Sequence, residues 1–384
     1  MTRVMLSCGE PSGDLYAGAL VESLAAREPT IDVFGLGGPR FAAAGARLIA
    51  DYRGLAVTGL TEALRVLPQS YAVYRQLVEA ARRERPDVLV LIDYPDFNFR
   101  LMSAVRKLGV PIAYYVSPQL WAWRRGRIRA MKASVDLVLP IFPFEAAMYE
   151  AEGIPVTFVG HPLVDLAVAR RDRASLLAEL GLDARRRIVG VLPGSRPNEL
   201  HRHVPVLAAA LPRIQSDVPD AAFLVARAPE LADALFAPFH GIGVDIRLVE
   251  GRTDDVLAAS DAVVTASGTA TVQTALHGTP MVVVYKLSPM TYRLGRPLVR
   301  VDMFSMVNLV AGRRVVPELI QDECTPERVA AEITALLAPG DLRERMIGDL
   351  AAVREKFGGP GASGRAADAV LALTRSTHAA QVAP

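Results

Sequence analysis

Four short loops in this chain combine glycine with groups able to bind anions or move protons. Gly9-Glu10-Pro11-Ser12-Gly13-Asp14 follows an apolar run and opens a helical pattern, a context that aims backbone N–H groups at a ligand. Its carboxylates, Glu10 and Asp14, suit sugar hydroxyls better than phosphates; a purely structural turn would instead use Ser12 as the helix cap. The Gly-x-Gly-x-x-Gly fingerprint is absent, so no nicotinamide or flavin cofactor is expected. Ile92-Asp93-Tyr94-Pro95-Asp96-Phe97-Asn98 closes a five-residue apolar run. A partly desolvated carboxylate there is placed to take a proton from a substrate hydroxyl, unless Asp93 and Asp96 merely shape a turn around Pro95. The sequence leaves open which of the two faces an acceptor.

The other two loops lie in the second half. Leu192-Pro193-Gly194-Ser195-Arg196 offers loop amides and a guanidinium suited to a diphosphate. Ser267-Gly268-Thr269-Ala270-Thr271 repeats the strand-to-helix context, and the pair points to a nucleotide diphosphate. No Walker A loop occurs, so ATP hydrolysis is not supported. No Asp-x-Asp occurs, so no divalent clamp stands out, and no metal is expected. His161, His201, His203 and His277 lack metal-ligand spacing with acidic neighbours and read as caps, surface groups or substrate contacts. The densest basic stretch, Trp121-Ala122-Trp123-Arg124-Arg125-Gly126-Arg127-Ile128-Arg129, holds both tryptophans. It suits an amphiphilic anion or a bilayer headgroup region; a solvated helix face is the plainer reading of Arg125 and Arg129.

The elements that must position these loops follow from periodicity. Short apolar, β-branched runs alternate with helical-period stretches, the pattern of parallel strands joined by crossover helices, so the class is α/β. Strands are expected at 4–7, 32–35, 88–92, 112–116, 137–141 and 156–159, and again at 188–192, 222–225, 246–249, 262–265 and 281–285. This predicts two doubly wound, Rossmann-like sheets with ligands in a cleft beyond the strand ends. The expected domains are 1–166, 167–340 and a helical segment 341–384 packing back on the first. Residues 262–285 carry no Asp, Glu, Lys or Arg, but polar and turn residues divide them into strand, loop, helix and strand, so no transmembrane helix is expected. The first residues are too briefly apolar for a signal peptide.

Composition narrows the function. The 384 residues are 51% hydrophobic and 22% charged, which excludes disordered and collagen-like chains. Lys and Arg total 43 against 41 Asp and Glu, a net charge of +2 that argues against nucleic acid bound through bulk charge. Cys8 and Cys324 lack paired spacing, which fits a reducing cytoplasm.

Taken together, GEPSGD, GLGGPR (Gly35 to Arg40), IDYPDFN, YYVSPQLWAWRRGR (Tyr114 to Arg127), FVGHPLVD (Phe158 to Asp165), LPGSR, ASGTAT and NLVAGRRVVPELIQDEC (Asn308 to Cys324) resemble the lipid A disaccharide synthase family over almost the whole chain. These are inverting glycosyltransferases of the two-domain glycosyltransferase B architecture. The resemblance implies transfer from UDP-2,3-diacylglucosamine to the 6-hydroxyl of 2,3-diacylglucosamine 1-phosphate, without a cofactor, at the cytoplasmic face of the inner membrane. It implies UDP contacts from Gly194, Ser195, Arg196, Ser267, Gly268, Thr269, Ala270 and Thr271, with Asn308 nearby. Asp93 is then the general base with Glu10 assisting, and Asp96 is the alternative. Acceptor or membrane contacts are expected from Ser12, Asn98, Trp121, Trp123, Arg124, Arg125 and Arg127, and acyl-chain contacts from 55–77. Where similar proteins usually carry Glu, this chain has Gln273, able to bond ribose hydroxyls without a charge. Two other readings are a UDP-N-acetylglucosamine 2-epimerase-like isomerase on the same fold and a non-catalytic membrane-peripheral binding protein. A homodimer is compatible with all of these.

Overall fold

The computed structural model describes every residue except 56–59, 119, 121–124, 230, 289–291, 293–301 and 383–384, and only the backbone of 60–66, 125 and 377–382. Two compact units form: Met1–Pro162 with Phe357–Pro384, and Leu163–Lys356. In the first, β1 (Arg3–Cys8), β2 (Asp32–Gly37), β3 (Arg47–Asp51), β4 (Val88–Ile92), β5 (Ile112–Tyr115) and β6 (Leu137–Leu139) make a parallel sheet in the order β3-β2-β1-β4-β5-β6. In the second, β7 (Arg187–Leu192), β8 (Ala221–Arg227), β9 (Ile246–Glu250), β10 (Ala262–Ala266), β11 (Met281–Tyr285) and β12 (Glu318–Ile320) run in the order β12-β11-β10-β7-β8-β9. Counted along each unit, both orders are 3-2-1-4-5-6. The strand order therefore reverses between β1 and β4 and between β7 and β10, which opens a ligand crevice beyond their carboxyl ends.

All five side chains of β4, Val-Leu-Val-Leu-Ile, are buried, as are those of β10. Such runs without polar alternation belong to parallel strands covered on both faces. Helices Pro11–Arg27, Pro39–Ala43, Pro95–Arg106, Pro143–Ala151, Pro197–Asp217 and Pro326–Leu337 all place proline in the first turn, where its missing N–H costs nothing and its φ suits a helix.

Three features depart from the sequence reading. Strands β3 and β12 went unpredicted; both are sheet edges, short and partly exposed, so neither shows a buried strand's continuous apolar run. Residues 156–159 form no strand, only an isolated bridge between Val138 and Val156. Helix Asp341–Lys356, expected with the terminal segment, belongs to the second unit, where Met346, Leu350 and Val353 are buried and the Met346 thioether accepts the Met281 N–H. The units divide after Pro162 and before Phe357, rather than at 166 and 340. Residues 262–285 fold as β10, helix Thr269–Leu276 and β11.

Candidate functional site

At the carboxyl end of the first sheet, loops from four strands interlock. Cys8 lies opposite Ile92 in the β1–β4 register, so the loops starting at Gly9 and Asp93 run side by side. A Cβ on Gly9 would lie 2.2 Å from the Tyr94 ring, so only glycine lets that ring cross the first loop. Burial pushes the Tyr94 hydroxyl up to about 12, and the charges of Glu10 and Asp96 add to the effect.

Asp14 is not a sugar-facing carboxylate. It is 2% exposed, and its oxygens accept the backbone N–H groups of Gly38 at 2.7 Å, Arg40 at 2.9 Å and Phe41 at 3.1 Å. These are the donors that the first turn of Pro39–Ala43 leaves without helical partners. The carboxylate thus pins the loop after β2 to the helix after β1. Ser12 is not the cap either: the helix starts at Pro11, with Glu10 at the N-cap position.

Asp93 directly follows β4 and is half-buried. Asp93 and Tyr94 both adopt left-handed backbone, with φ of 44° and 48°, at roughly 1–2 kcal/mol each. The Asp93 carbonyl accepts Asn98 Nδ2 at 2.7 Å and the Tyr114 hydroxyl at 2.9 Å. Asn98, expected at the acceptor, is fully buried. Its amide also donates to the carbonyls of Ser7 and Ile92. Asp96 is exposed and ion-paired with Arg127, whose guanidinium also lies over the Phe99 ring.

In the second sheet, Thr265 pairs with Leu192, so the loops beginning at Pro193 and Ser267 are neighbours. Gly194 has φ of 125°, and a Cβ there would lie 2.6 Å from Glu199 Oε2. Glu199, which the sequence reading passed over, accepts the Ser195 N–H and the Arg196 guanidinium, each at 3.2 Å. Buried His203 bridges two loops. Its Nδ1 donates to the Pro193 carbonyl at 2.8 Å and its Nε2 accepts the Lys286 N–H at 2.9 Å; the carbonyl and the N–H fix this tautomer. Burial holds His203 below its ordinary pKa.

Around the second loop, the Ser267 hydroxyl donates to the Phe304 carbonyl at 2.8 Å. Thr271 is fully buried, its hydroxyl donating to the Gly268 carbonyl, whereas Gly268 is exposed and Thr269 and Ala270 are half-buried. Gln273 Nε2 donates to Asp254 Oδ1 at 3.3 Å, the oxygen that His277 Nε2 meets at 3.0 Å. Asn308 is also fully buried. Its oxygen accepts the N–H groups of Val315 and Val316, and its nitrogen donates to the Val316 carbonyl and Glu318 Oε1. With that capacity used, the side chain braces the turn before β12 rather than meeting a nucleotide.

The structure therefore gathers Glu10, Asp93 and Asp96 at one sheet end, and Gly194, Ser195, Arg196 and the Ser267 to Thr271 loop at the other. Asp14, Asn98, Thr271 and Asn308 turn inward to hold those ends. Nothing in the sequence signals this, because a buried Asn and an exposed one are the same letter. Trp121, Trp123, Arg124 and the Arg125 side chain lie outside the described residues. Among the described residues, no group of three or more His, Cys, Asp or Glu side chains could hold a metal ion, and no helix is long and apolar enough to cross a membrane.

Two parallel sheets of one strand order, each with glycine loops at its switch point, define a double Rossmann-type protein. Solved structures share this fold: a UDP-GlcNAc 2-epimerase from Neisseria meningitidis bound to UDP-GlcNAc (TM-score 0.68, 12% identity, 97% of this chain and 100% of that one) and the calicheamicin glycosyltransferase CalG4 (TM-score 0.61, 18% identity, 100% of both). An epimerase and a transferase on one fold leave the activity undecided. The chain belongs to the lipid-A-disaccharide synthetase family, whose model matches residues 4–356. The lipid-A-disaccharide synthase of Myxococcus xanthus (strain DK1622) is 44% identical over 372 residues, 97% of each chain. The family makes this protein a glycosyltransferase of lipid A biosynthesis, working on precursors of the lipid A disaccharide, and the isomerase reading is not favoured.

Proposed function

We propose that this protein transfers the diacylglucosaminyl group of UDP-2,3-diacylglucosamine to the 6-hydroxyl of 2,3-diacylglucosamine 1-phosphate. The products are the β-1,6-linked disaccharide 1-phosphate and UDP. The observation that carries this reading is the family match over residues 4–356.

Asp93 takes the proton of the acceptor hydroxyl as its oxygen bonds to the anomeric carbon and the bond from that carbon to the UDP oxygen breaks. Attack opposite the leaving group inverts the anomeric centre. The strand-end position and partial burial of Asp93 support this role, whereas Asp96 is spent on Arg127. Glu10, at the head of the adjoining loop, assists in orienting the acceptor. The N–H groups of 194–196 and 268–270 and the Arg196 guanidinium stabilise the charge that develops on the departing diphosphate, and Gln273 bonds the ribose. Both substrates are acylated, so the protein works at the inner-membrane surface. Its tryptophan and arginine stretch, 121–129, supplies the attraction to anionic headgroups.

A detergent-micelle assay with each substrate alone and with both, following disaccharide by mass spectrometry, tests the reading. Disaccharide and UDP should form only when both are present. Release of UDP without acceptor, or no disaccharide from folded protein that binds UDP, overturns it. Asp93→Asn should abolish turnover while leaving UDP binding intact.

A further inference from the structure

We infer that Asn98 and Tyr114 are positioning residues that hold Asp93 in a strained backbone conformation and so aim its carboxylate; the inference rests on Asp93 being the base. Along β4, Leu89 and Leu91 face the hydrophobic core. Side chains alternate along a strand, so an extended Asp93 would follow them into that core, where an ionised carboxylate is costly. The left-handed turn at Asp93 and Tyr94 takes the chain out of the alternation before this happens.

Left to itself, a non-glycine pair would relax to extended or right-handed backbone. Here the Asp93 peptide is held on both sides. Its carbonyl accepts Asn98 Nδ2 at 2.7 Å and the Tyr114 hydroxyl at 2.9 Å, and its N–H donates to the Val116 carbonyl at 3.2 Å. Val116 is itself left-handed, with φ of 55°, an outlier for a β-branched residue. The Ser7 hydroxyl donates to Asn98 Oδ1 at 2.7 Å, which fixes the Asn98 amide with its nitrogen toward Asp93. Side chains from β1, β5 and the helix Pro95–Arg106 thus converge on the Asp93 carbonyl. Both donors are fully buried, so the clamp is formed before any ligand arrives.

Steady-state kinetics of Asn98→Ala and Tyr114→Phe, in parallel with Asp93→Asn, test the clamp. A base displaced by about 1 Å loses on the order of 100-fold. Each clamp variant should therefore lower kcat by roughly 10- to 100-fold, with the KM for the UDP-sugar and calorimetric UDP binding near wild type. Adding either to Asp93→Asn should lower the residual rate no further. Wild-type kcat in both clamp variants, with Asp93→Asn inactive, overturns the clamp and spares the base. A fully active Asp93→Asn removes the base reading itself. An undiminished loss in the Asp93→Asn background shows that the clamp acts by another route. Should Asn98→Ala fail to fold, Tyr114→Phe decides alone, because it removes one oxygen from a packed ring.

Discussion

Glu199 folds back on its own loop, its carboxylate accepting the Ser195 N–H and the Arg196 guanidinium at 3.2 Å each. These are two of the donors proposed for the departing diphosphate, so a carboxylate of the protein occupies an anion's place at the head of the helix Pro197–Asp217. A nucleotide must displace it or bind against its charge. Glu199→Gln keeps the shape and removes the charge. The effect should be about 1 kcal/mol at this partly screened position, tightening UDP binding roughly fivefold by calorimetry. Weaker binding would mean that Glu199 serves mainly to hold Arg196 in place.

Asp14 satisfies three backbone N–H groups from a nearly fully buried position. Asn in its place offers one acceptor and turns an N–H₂ toward donors. Asp14→Asn should cost about 2–3 kcal/mol of stability, read as a lower Tm, with the loss of activity at assay temperature following the unfolded fraction. An unchanged Tm would mean that the three N–H groups find other partners.

His161 predicts a pH dependence of folding. It is fully buried among Tyr16, Phe142 and Phe357, and burial lowers its pKa from 6.5 to about 3. Between those values the unfolded chain binds a proton that the folded chain refuses, so stability falls as pH falls, by up to roughly 1.4 kcal/mol per unit. Above pH 6.5 both states are neutral there and the contribution is constant. Urea unfolding at pH 7, 6 and 5 should show this slope in the wild type and a shallower one in His161→Phe. Equal slopes in the two proteins would contradict the assignment.

Much of this was legible in one dimension. The unbroken apolar run of β4 and the uncharged, β-branched run of β10 announce strands covered on both faces, because parallel strands buried on both sides need no polar alternation. Glycine and proline between strand and helix mark the loops at 9–14, 93–98, 193–196 and 267–271, because left-handed turns and first helical turns favour those residues. The edge strands β3 and β12 were not legible, since a strand paired on one side needs no continuous apolar run. Glu199 was hidden because its significance lies in a side chain that folds back four residues.

The sequence by itself determined the class, the strand-ending loops and the chemical types at them, since periodicity and turn chemistry are local. Tertiary structure alone decided which polar residue of each motif faces outward. Asp93 and Asn98 stand five residues apart in one motif, yet one is half-exposed and the other is fully buried and holds it. That division depends on Ser7 of β1, Tyr114 of β5 and Val116, which directly follows β5. A buried polar group is stable only where partners from elsewhere in the chain meet it.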